Sequence, residues 1–571
     1  MSHASPTQPV EQPDHYRRKR RPVNCEQCRR SKLRCDRQCP CGSCKSRGRE
    51  AGCSYEARPP VSFSGKAHRP IVTGCSSVGR GNKNQRPSAS SRQNCISVTP
   101  PEPGLTRCEP NQTPLDTNWE IAFERPPPEA DAHNTLSPLS MLPCIPVQQI
   151  IDSLPSKPCC DYLISHFFQI ISPLFPILHG PTFQRKYTEF VQRPHEAELP
   201  WLALLLAVCS LALHTMDETD PRLADIWSKL PLSSTQGSAI ASESRILLRY
   251  AVTCLLQDGL FINHKFSTFE ALLMVIYNLS HNESVDQGWG LLGIALNMGI
   301  ALRCNVDQKL NPVEDERRRR CWTGLLTLHT YQGILFRDVD MSYLLNIKAS
   351  LPTDVNDADI TEEGILQPSH RVQPTQMSLF LSKYRLFQLS SQICVHISSP
   401  SRLDRHCLQK FDAAISKEQQ QWDSTYLIDG SLSILDPTSY AFWCVLQTFA
   451  HHLYLLLHRP FHLSGLAEFL PSSRETCIRS SRALISLHKQ IYESPLLRSY
   501  RWLLNGVTSL KALHAAVALN SCLQDISSSP DHGYDVECLR GELESLSFRM
   551  KDISGRSNIC SRAYGILCHL Q

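Results

Sequence analysis

This sequence offers little to a catalyst or a membrane anchor. It has no G-x-x-x-x-G-K-[ST] loop to cradle phosphates, no G-x-S-x-G elbow to expose a serine and no H-E-x-x-H pair for a helix-borne metal, so the commonest hydrolase and nucleotidase signatures are missing. The longest apolar run, Trp201 to Leu213, holds 13 residues. That is short of the roughly 20 needed to cross a bilayer and suits a buried helix. The opening MSHASPTQPVEQPDHYRRKRRP lacks the apolar stretch of a secretory leader. The expectation is a soluble chain that stays inside the cell, with its thiols reduced and no enzyme activity. Glycine is scarce at 25 of 571 residues, while proline reaches 39 and cysteine 25.

What is present is unevenly distributed. The net charge is +5, but Met1 to Arg58 carries 14 Lys/Arg against 6 Asp/Glu, or +8, leaving 5 − 8 = −3 for the rest. A basic head on a mildly acidic body is the asymmetry of a nucleic-acid binder. Seven cysteines crowd between Cys25 and Cys53, and the other 18 are scattered. From Pro59 to Pro146 the chain holds 15 of its prolines with no sustained periodicity and no heptad seam, the composition of a disordered linker. Beyond it, apolar positions recur every three or four residues in DYLISHFFQIISPLF, SESRILLRYAVTCLLQ, FSTFEALLMVIYNL and SYAFWCVLQTFAHHLYLLLH, a helical period. Strand alternation is scarce and no hairpin signal stands out. The expected organisation is a disordered start at 1–16, a small zinc-stabilised two-helix cluster domain at 17–58, a disordered Pro-rich linker at 59–149 and a large all-α domain at 150–571, as one unit or two closely packed ones.

The chemistry concentrates in RRKRRPVNCEQCRRSKLRCDRQCPCGSCKSRGREAGCSYEAR, Arg17 to Arg58. Cys25, Cys28 and Cys35 follow C-x2-C-x6-C, and Cys41, Cys44 and Cys53 follow C-x2-C-x8-C. Each C-x-x-C pair can offer two thiolates from the start of a short helix, with the third cysteine returning from the following chain. Zinc takes four such ligands in a tetrahedron. Two zinc ions need eight ligand positions, and six cysteines fill them if two sulfurs each bridge both metals. An eight-ligand RING or LIM module fits poorly, since no histidine lies between Arg17 and Ala67. A single-strand RNA binder would want an aromatic platform, and Tyr16, Tyr55 and Phe63 only flank the cluster.

This segment resembles the DNA-binding domain of the fungal binuclear zinc cluster transcription factors at all six ligand positions. The resemblance implies that Cys25 and Cys41 bridge, that Cys28 and Cys35 complete one zinc site and that Cys44 and Cys53 complete the other. CRRSKLRCD is similar to the family's basic first helix. Lys32 matches the lysine that reads the guanines of a CGG triplet, whose O6 and N7 are acceptors in the major groove. Arg29, Arg30, Arg34, Lys45 and Arg47 are cast as phosphate contacts, which position without specifying. Arg17, Arg18, Lys19, Arg20 and Arg21 form a basic run suited to nuclear import or to phosphate contact. Cys39 is a seventh cysteine, and Pro40 stands one residue later than the family's usual loop proline.

The helical region is similar to the regulatory domain that commonly follows such clusters, best matched over 150–463. The resemblance rests on YLISHFFQIISPLFPILHGPTFQRKYTEF, GIALNMGIALRCNVDQKLNPVEDERRRRCW, SYLLNIKASLPTDVNDADI and LHRPF. It implies a nuclear regulator of RNA polymerase II transcription, most often an activator of metabolic or biosynthetic genes. Its partners would be double-stranded DNA, the transcription machinery, a second copy or a related chain, and a small-molecule effector. Three motifs in this region have plainer readings. Gly288, Gly290 and Gly293 fit G-x-G-x-x-G without a preceding strand, so close helix packing is expected. His451, His452, His458 and His462 are expected in the core or at its rim. Glu314 to Glu316 followed by Arg317 to Arg320 is expected to pair within the protein rather than reach DNA.

Overall fold

The computed structural model describes residues 24–25, 27–28, 35–50, 53 and 144–570, less 217–219, 225, 227–235, 283–284, 336–341, 367–373, 399–403, 467 and 528–533. The chain divides into two compact units, Met1–Cys108 and Glu109–Gln571. In the first, residues 27–28 are helical and α1 spans Gly42–Lys45. Most of the expected basic helix, most of the expected linker and all of 1–16 lie outside the described residues.

The second unit is helix upon helix: α2 (Val147–Asp152), α3 (Lys157–His166), α4 (Gly180–Gln192), α5 (Leu199–Thr215), α6 (Gln236–Gln257), α7 (Phe266–Asn282), α8 (Val285–Ala301) and α9 (Pro312–Leu335). There follow α10 (Ser378–Ser398), α11 (Arg405–Tyr426), α12 (Pro437–His458), α13 (Pro471–Glu493), α14 (Val507–Ser527), α15 (Val536–Ile553) and α16 (Asn558–Leu570). A π-helical turn, Phe167–Ile171, continues α3, and a 3-10 helix, Pro495–Asn505, links α13 to α14. The first described helix begins at Val147, directly after Pro146 and three residues ahead of the boundary expected at 150.

Helix starts follow local chemistry. Proline occupies the first turn of α3, α4, α5, α12 and α13, where its missing N–H has no partner to lose. Asp404, Asp436 and Asp535 accept hydrogen bonds from the N–H groups of Cys407, Ser439 and Cys538 at 2.6, 3.0 and 3.1 Å, satisfying donors that a helix start leaves open. The one strand pair among the described residues is Leu427–Ile428 with Ser431–Leu432, closed by Asp429 and Gly430 at φ +50° and +75°. Asp-Gly with both residues left-handed is a hairpin turn. The expectation of no hairpin differs here because two-residue strands leave no alternation along the sequence.

Burial explains the long apolar run. Every residue of α5 from Pro200 to Leu213 is buried, and α6 and α7 pack along it. A helix that is apolar all round belongs in an interior. One large hydrophobic cluster runs from Ile150 to Val507, and a smaller one gathers Cys477, Ala515, Leu546 and Leu567. Helices α12, α13 and α14 each contribute to both, with Leu453, Leu487 and Val507 in the first and Leu455, Leu484 and Leu513 in the second, so the region is a single unit with two cores that share three helices. Among the described residues, no helix is long and apolar enough to cross a membrane.

Candidate metal centre

Among its described residues, the first unit buries almost no apolar material besides cysteine. Its buried hydrophobic cluster consists of Cys25, Cys28, Cys35, Cys41, Cys44 and Cys53 alone. A module this small cannot hold itself together by burial, and metal is the usual substitute. Local structure gathers the sulfurs. Cys41 is the N-cap of α1, which carries Cys44 one turn on, with Cys44 N–H donating to Cys41 O at 2.9 Å. Gly48, at φ +63°, turns the chain after that helix without the Cβ clash another residue would meet.

Two sets of four cysteines have all their sulfurs within 4.8 Å of one another: Cys25, Cys28, Cys35, Cys41 and Cys25, Cys41, Cys44, Cys53. Cys25 and Cys41 belong to both. The sulfurs of Cys25 and Cys41 are 3.7 Å apart, those of Cys25 and Cys44 3.8 Å, and those of Cys28 and Cys41 3.5 Å. A tetrahedron of thiolates about 2.3 Å from zinc has an edge of roughly 3.8 Å. A disulfide would require about 2.05 Å, and none of the six is disulfide-bonded. The donor set therefore fits zinc.

Charge tells the same story. Burial, followed by crowding from the other sulfurs, pushes the Cys44 thiol up to about 12 and raises Cys41 as well. These two thiols stay protonated unless a cation displaces their protons, whereas at Cys25 burial is outweighed by hydrogen bonds from Cys28 N–H and the neighbouring sulfurs, which lower its pKa. Two backbone donors already point at the sulfurs, Cys28 N–H to Cys25 Sγ at 3.4 Å and Cys41 N–H to Cys53 Sγ at 3.2 Å. Six thiolates with two Zn²⁺ would sum to −2.

Cys39 stands apart. It is exposed, it precedes Pro40 through a cis peptide bond, and its Sγ donates to Cys53 O at 3.7 Å. It is in neither set of four. Sequence reasoning missed Asp36, which fastens the loop to α1. Its carboxylate accepts from Gly42 N–H at 2.8 Å and Gln38 N–H at 3.2 Å. These bonds, the one from Gly42 foremost, lower its pKa. A Cβ at residue 42 would come within 2.8 Å of Asp36 Oδ2, so glycine permits the approach. The available signal was a short acidic residue placed directly after a ligand cysteine.

Lys45 and Arg47 are exposed at the end of α1 and just past it. Arg29, Arg30, Lys32 and Arg34, together with residues 17–21, lie outside the described residues. In the helical unit, the four consecutive arginines turn inward. Arg317 meets Glu270 at 2.8 Å and Glu314 at 2.7 Å, and Arg318 meets Glu314 at 3.3 Å. Arg319 pairs with Glu316 and Asp307, each at 3.1 Å, and Arg320 with Glu316 at 3.3 Å and Asp357 at 2.6 Å. Gly288, Gly290 and Gly293 lie within α8 rather than after a strand. Of the histidines, His452 pairs with His514 at 3.0 Å, His458 with Asp412 at 2.8 Å and His462 with Ser521 at 3.0 Å. The cysteine sets are the only groups of metal-ligand geometry among the described residues.

A six-thiol zinc module and a large helical unit together define a zinc-dependent regulator class, and comparison with known proteins agrees. Residues 23–61 match the Fungal Zn(2)-Cys(6) binuclear cluster domain, and residues 164–426 match the Fungal specific transcription factor domain. Transcription factor phm2 of Pyrenochaetopsis sp is 24% identical, over 90% of this chain and 79% of its own. Pyrrolocin cluster transcription factor fsdR of Fungal sp. (strain NRRL 50135) is 23% identical, over 90% of this chain and 78% of its own. A solved structure, that of the K. lactis CBF3 core, overlays with a TM-score of 0.49 at 12% identity, over 75% of this chain and 86% of that one. The chain belongs to the fungal Zn(2)-Cys(6) transcription factors. It is a zinc-binding, DNA-binding regulator of transcription and not an enzyme.

Proposed function

We propose that the segment 17–58 holds two zinc ions and reads CGG-type half-sites in the major groove, and that 150–571, joined to it through the Pro-rich linker at 59–149, regulates RNA polymerase II transcription. The observation that carries this reading is the sharing of Cys25 and Cys41 between the two sets of four sulfurs. Shared ligands are what six cysteines need to serve two tetrahedra. Cys28 and Cys35 complete one site, and Cys44 and Cys53 the other. Lys32 donates to guanine O6 and N7, while Arg29, Arg30, Arg34, Lys45 and Arg47 neutralise phosphates. The basic run Arg17 to Arg21 serves nuclear import, and the protein acts in the nucleus.

The relatives' names support a role in controlling the genes of a biosynthetic cluster, since fsdR is a pyrrolocin cluster factor and fsa6 a fusarisetin A cluster factor; that it activates them is what the family resemblance implies. The helical unit is the place for a second copy or a related chain, for the transcription machinery and for a small-molecule effector. The test is zinc stoichiometry and selection from a randomised DNA pool on the same sample of full-length protein. Two zinc ions per chain and recovery of CGG triplets are expected, and triplet spacing reports whether two copies bind together. One zinc ion, or recovery of DNA without sequence preference, would overturn the reading.

A further inference from the structure

Helix α1 starts without a cap of its own. Its N-cap residue is Cys41, whose side chain makes no capping hydrogen bond, and whose sulfur belongs to both sets of four. A helix start leaves backbone N–H groups open, and each needs an acceptor from elsewhere. Cys41 N–H points at Cys53 Sγ at 3.2 Å, and the N–H groups of Cys44 and Lys45 donate to Cys41 O at 2.9 and 3.0 Å. Gly42 N–H has Asp36 Oδ2 instead, at 2.8 Å.

Asp36 divides its two carboxylate oxygens between different parts of the chain. Oδ1 accepts from Gln38 N–H at 3.2 Å, within its own loop, while Oδ2 reaches Gly42, six residues on. Between them Arg37, at φ +65°, takes the left-handed conformation that bends the loop back. Asp36 directly follows Cys35, which belongs to the set with Cys28, and Gly42 directly follows Cys41, which the sets share. One carboxylate therefore ties the chain leaving the first set to the helix that presents Cys44 to the second.

The fit decides which residue can stand at 42. A Cβ there would lie 2.8 Å from Asp36 Oδ2, and the next atom it would meet is Asp36 Cγ at 3.9 Å. Among the described residues nothing else comes within 4 Å. Gly42 is helical, a conformation open to any residue and one in which alanine is ordinarily preferred to glycine. The demand for glycine thus comes from Asp36.

We propose that Asp36 is a positioning residue for the zinc site of Cys25, Cys41, Cys44 and Cys53, holding the start of α1 where Cys41 and Cys44 present their sulfurs to one ion. The proposal rests on the two-zinc reading above. Groups that orient ligands from outside the coordination shell contribute to metal affinity. The other site has separate support in the bond from Cys28 N–H to Cys25 Sγ at 3.4 Å, so its ion should feel the loss of Asp36 less.

The experiment follows zinc transfer from the full-length protein to the chelating dye pyridylazoresorcinol. It compares wild type with Asp36→Ala, Asp36→Asn, Gly42→Ala and the double variant Asp36→Ala/Gly42→Ala. Wild type should release two ions per chain. In Asp36→Ala one of them should leave roughly fivefold faster, the effect of a lost helix cap, with the other changed by less than about twofold. Asp36→Asn keeps one carbonyl oxygen and should fall between.

Gly42→Ala should resemble Asp36→Ala although it removes no hydrogen-bonding group, because its methyl pushes the carboxylate aside. In the double variant that methyl has nothing to strike, so the second substitution should add no further acceleration. Effects that multiply, as independent substitutions do, would overturn the proposal. So would unchanged release in either single variant, or equal acceleration of both ions. One ion per wild-type chain would sink the two-zinc reading and the proposal with it. Two ions released at unaltered rates from Asp36→Ala would sink the proposal alone.

Discussion

At Cys25 and Cys41 the two sets of sulfurs meet, so these residues differ from the other four in what their loss must do. Replacing either with alanine removes a ligand from both tetrahedra, and zinc analysis of Cys25→Ala or Cys41→Ala is expected to show both ions gone. A variant that keeps one tightly bound zinc would refute the shared assignment. Cys39→Ser should leave zinc content unchanged, because Cys39 belongs to neither set. Lys32→Ala should lose about 1–3 kcal/mol of discrimination at the CGG triplet. Binding measured on matched and mismatched sites separates this from uniform weakening, which would make Lys32 a phosphate contact. The six cysteines were legible from spacing alone. The role of Asp36 was not, because its hydrogen bond to Gly42 N–H depends on how the loop between them folds.

Helix α9 shows how far sequence reaches at the scale of an element. Pro312 at its start, Asn311 accepting from Glu314 N–H at 2.8 Å and the acid-to-arginine switch could all be read in order along the chain. So could pairing at three and four residues' distance, as in Arg317 with Glu314 and Arg320 with Glu316. The partners that finish the network could not be read. Glu270 lies on α7, and Asp357 also accepts from Gly180 N–H at 2.8 Å, so three distant segments converge there. The Arg320 and Glu316 side chains are each 1% exposed. Arg320→Ala is expected to cost about 3–5 kcal/mol by urea unfolding, since it takes the guanidinium that joins Glu316 to Asp357 away from a buried network and leaves Glu316 with Arg319 and Thr353 N–H alone. Arg185→Ala, which breaks an exposed pair with Glu362, should change stability by less than about 1 kcal/mol. Equal effects would show that burial does not set the value of these pairs. Because Arg317 to Arg320 are engaged within the protein, the salt dependence of DNA binding should not report them.

For the whole molecule, buried titratable groups predict the dependence of stability on pH. Burial lowers His214 to about 4 and His281 and His488 to about 3 from 6.5. The unfolded chain takes up these protons first, so stability falls as pH drops below 6.5. Burial also lowers Lys383 to about 7 from 10.5, with Lys511 shifted in the same direction. Between pH 7 and 10.5 the unfolded chain binds the Lys383 proton and the folded one does not, so stability rises there by ~1.4 kcal/mol per pH unit. Burial raises Cys254, Cys304, Cys444 and Cys522 to about 12 from 9.0. Above pH 9 the unfolded chain loses those protons first, and four thiols outweigh the lysines. Urea midpoints of the reduced protein should climb from pH 7, peak near pH 9 and fall beyond it. A curve flat from pH 7 to 9 would contradict the lysine assignment, and Lys383→Met should remove part of the rise.

By itself the sequence picked out the six cysteines that gather in the first unit, the helical class and the division into a basic head and a larger body. Each of these follows from local rules: thiolate spacing suited to a tetrahedron, apolar residues every three to four positions, and proline or aspartate at helix starts. Tertiary structure decided which helix lies at the centre, which arginines turn inward and where a cleft opens. Those outcomes depend on partners far apart along the chain, such as Arg320 with Asp357 or residues 162–170 facing 495–505. Burial and charge compensation act between surfaces that meet only once the chain has folded.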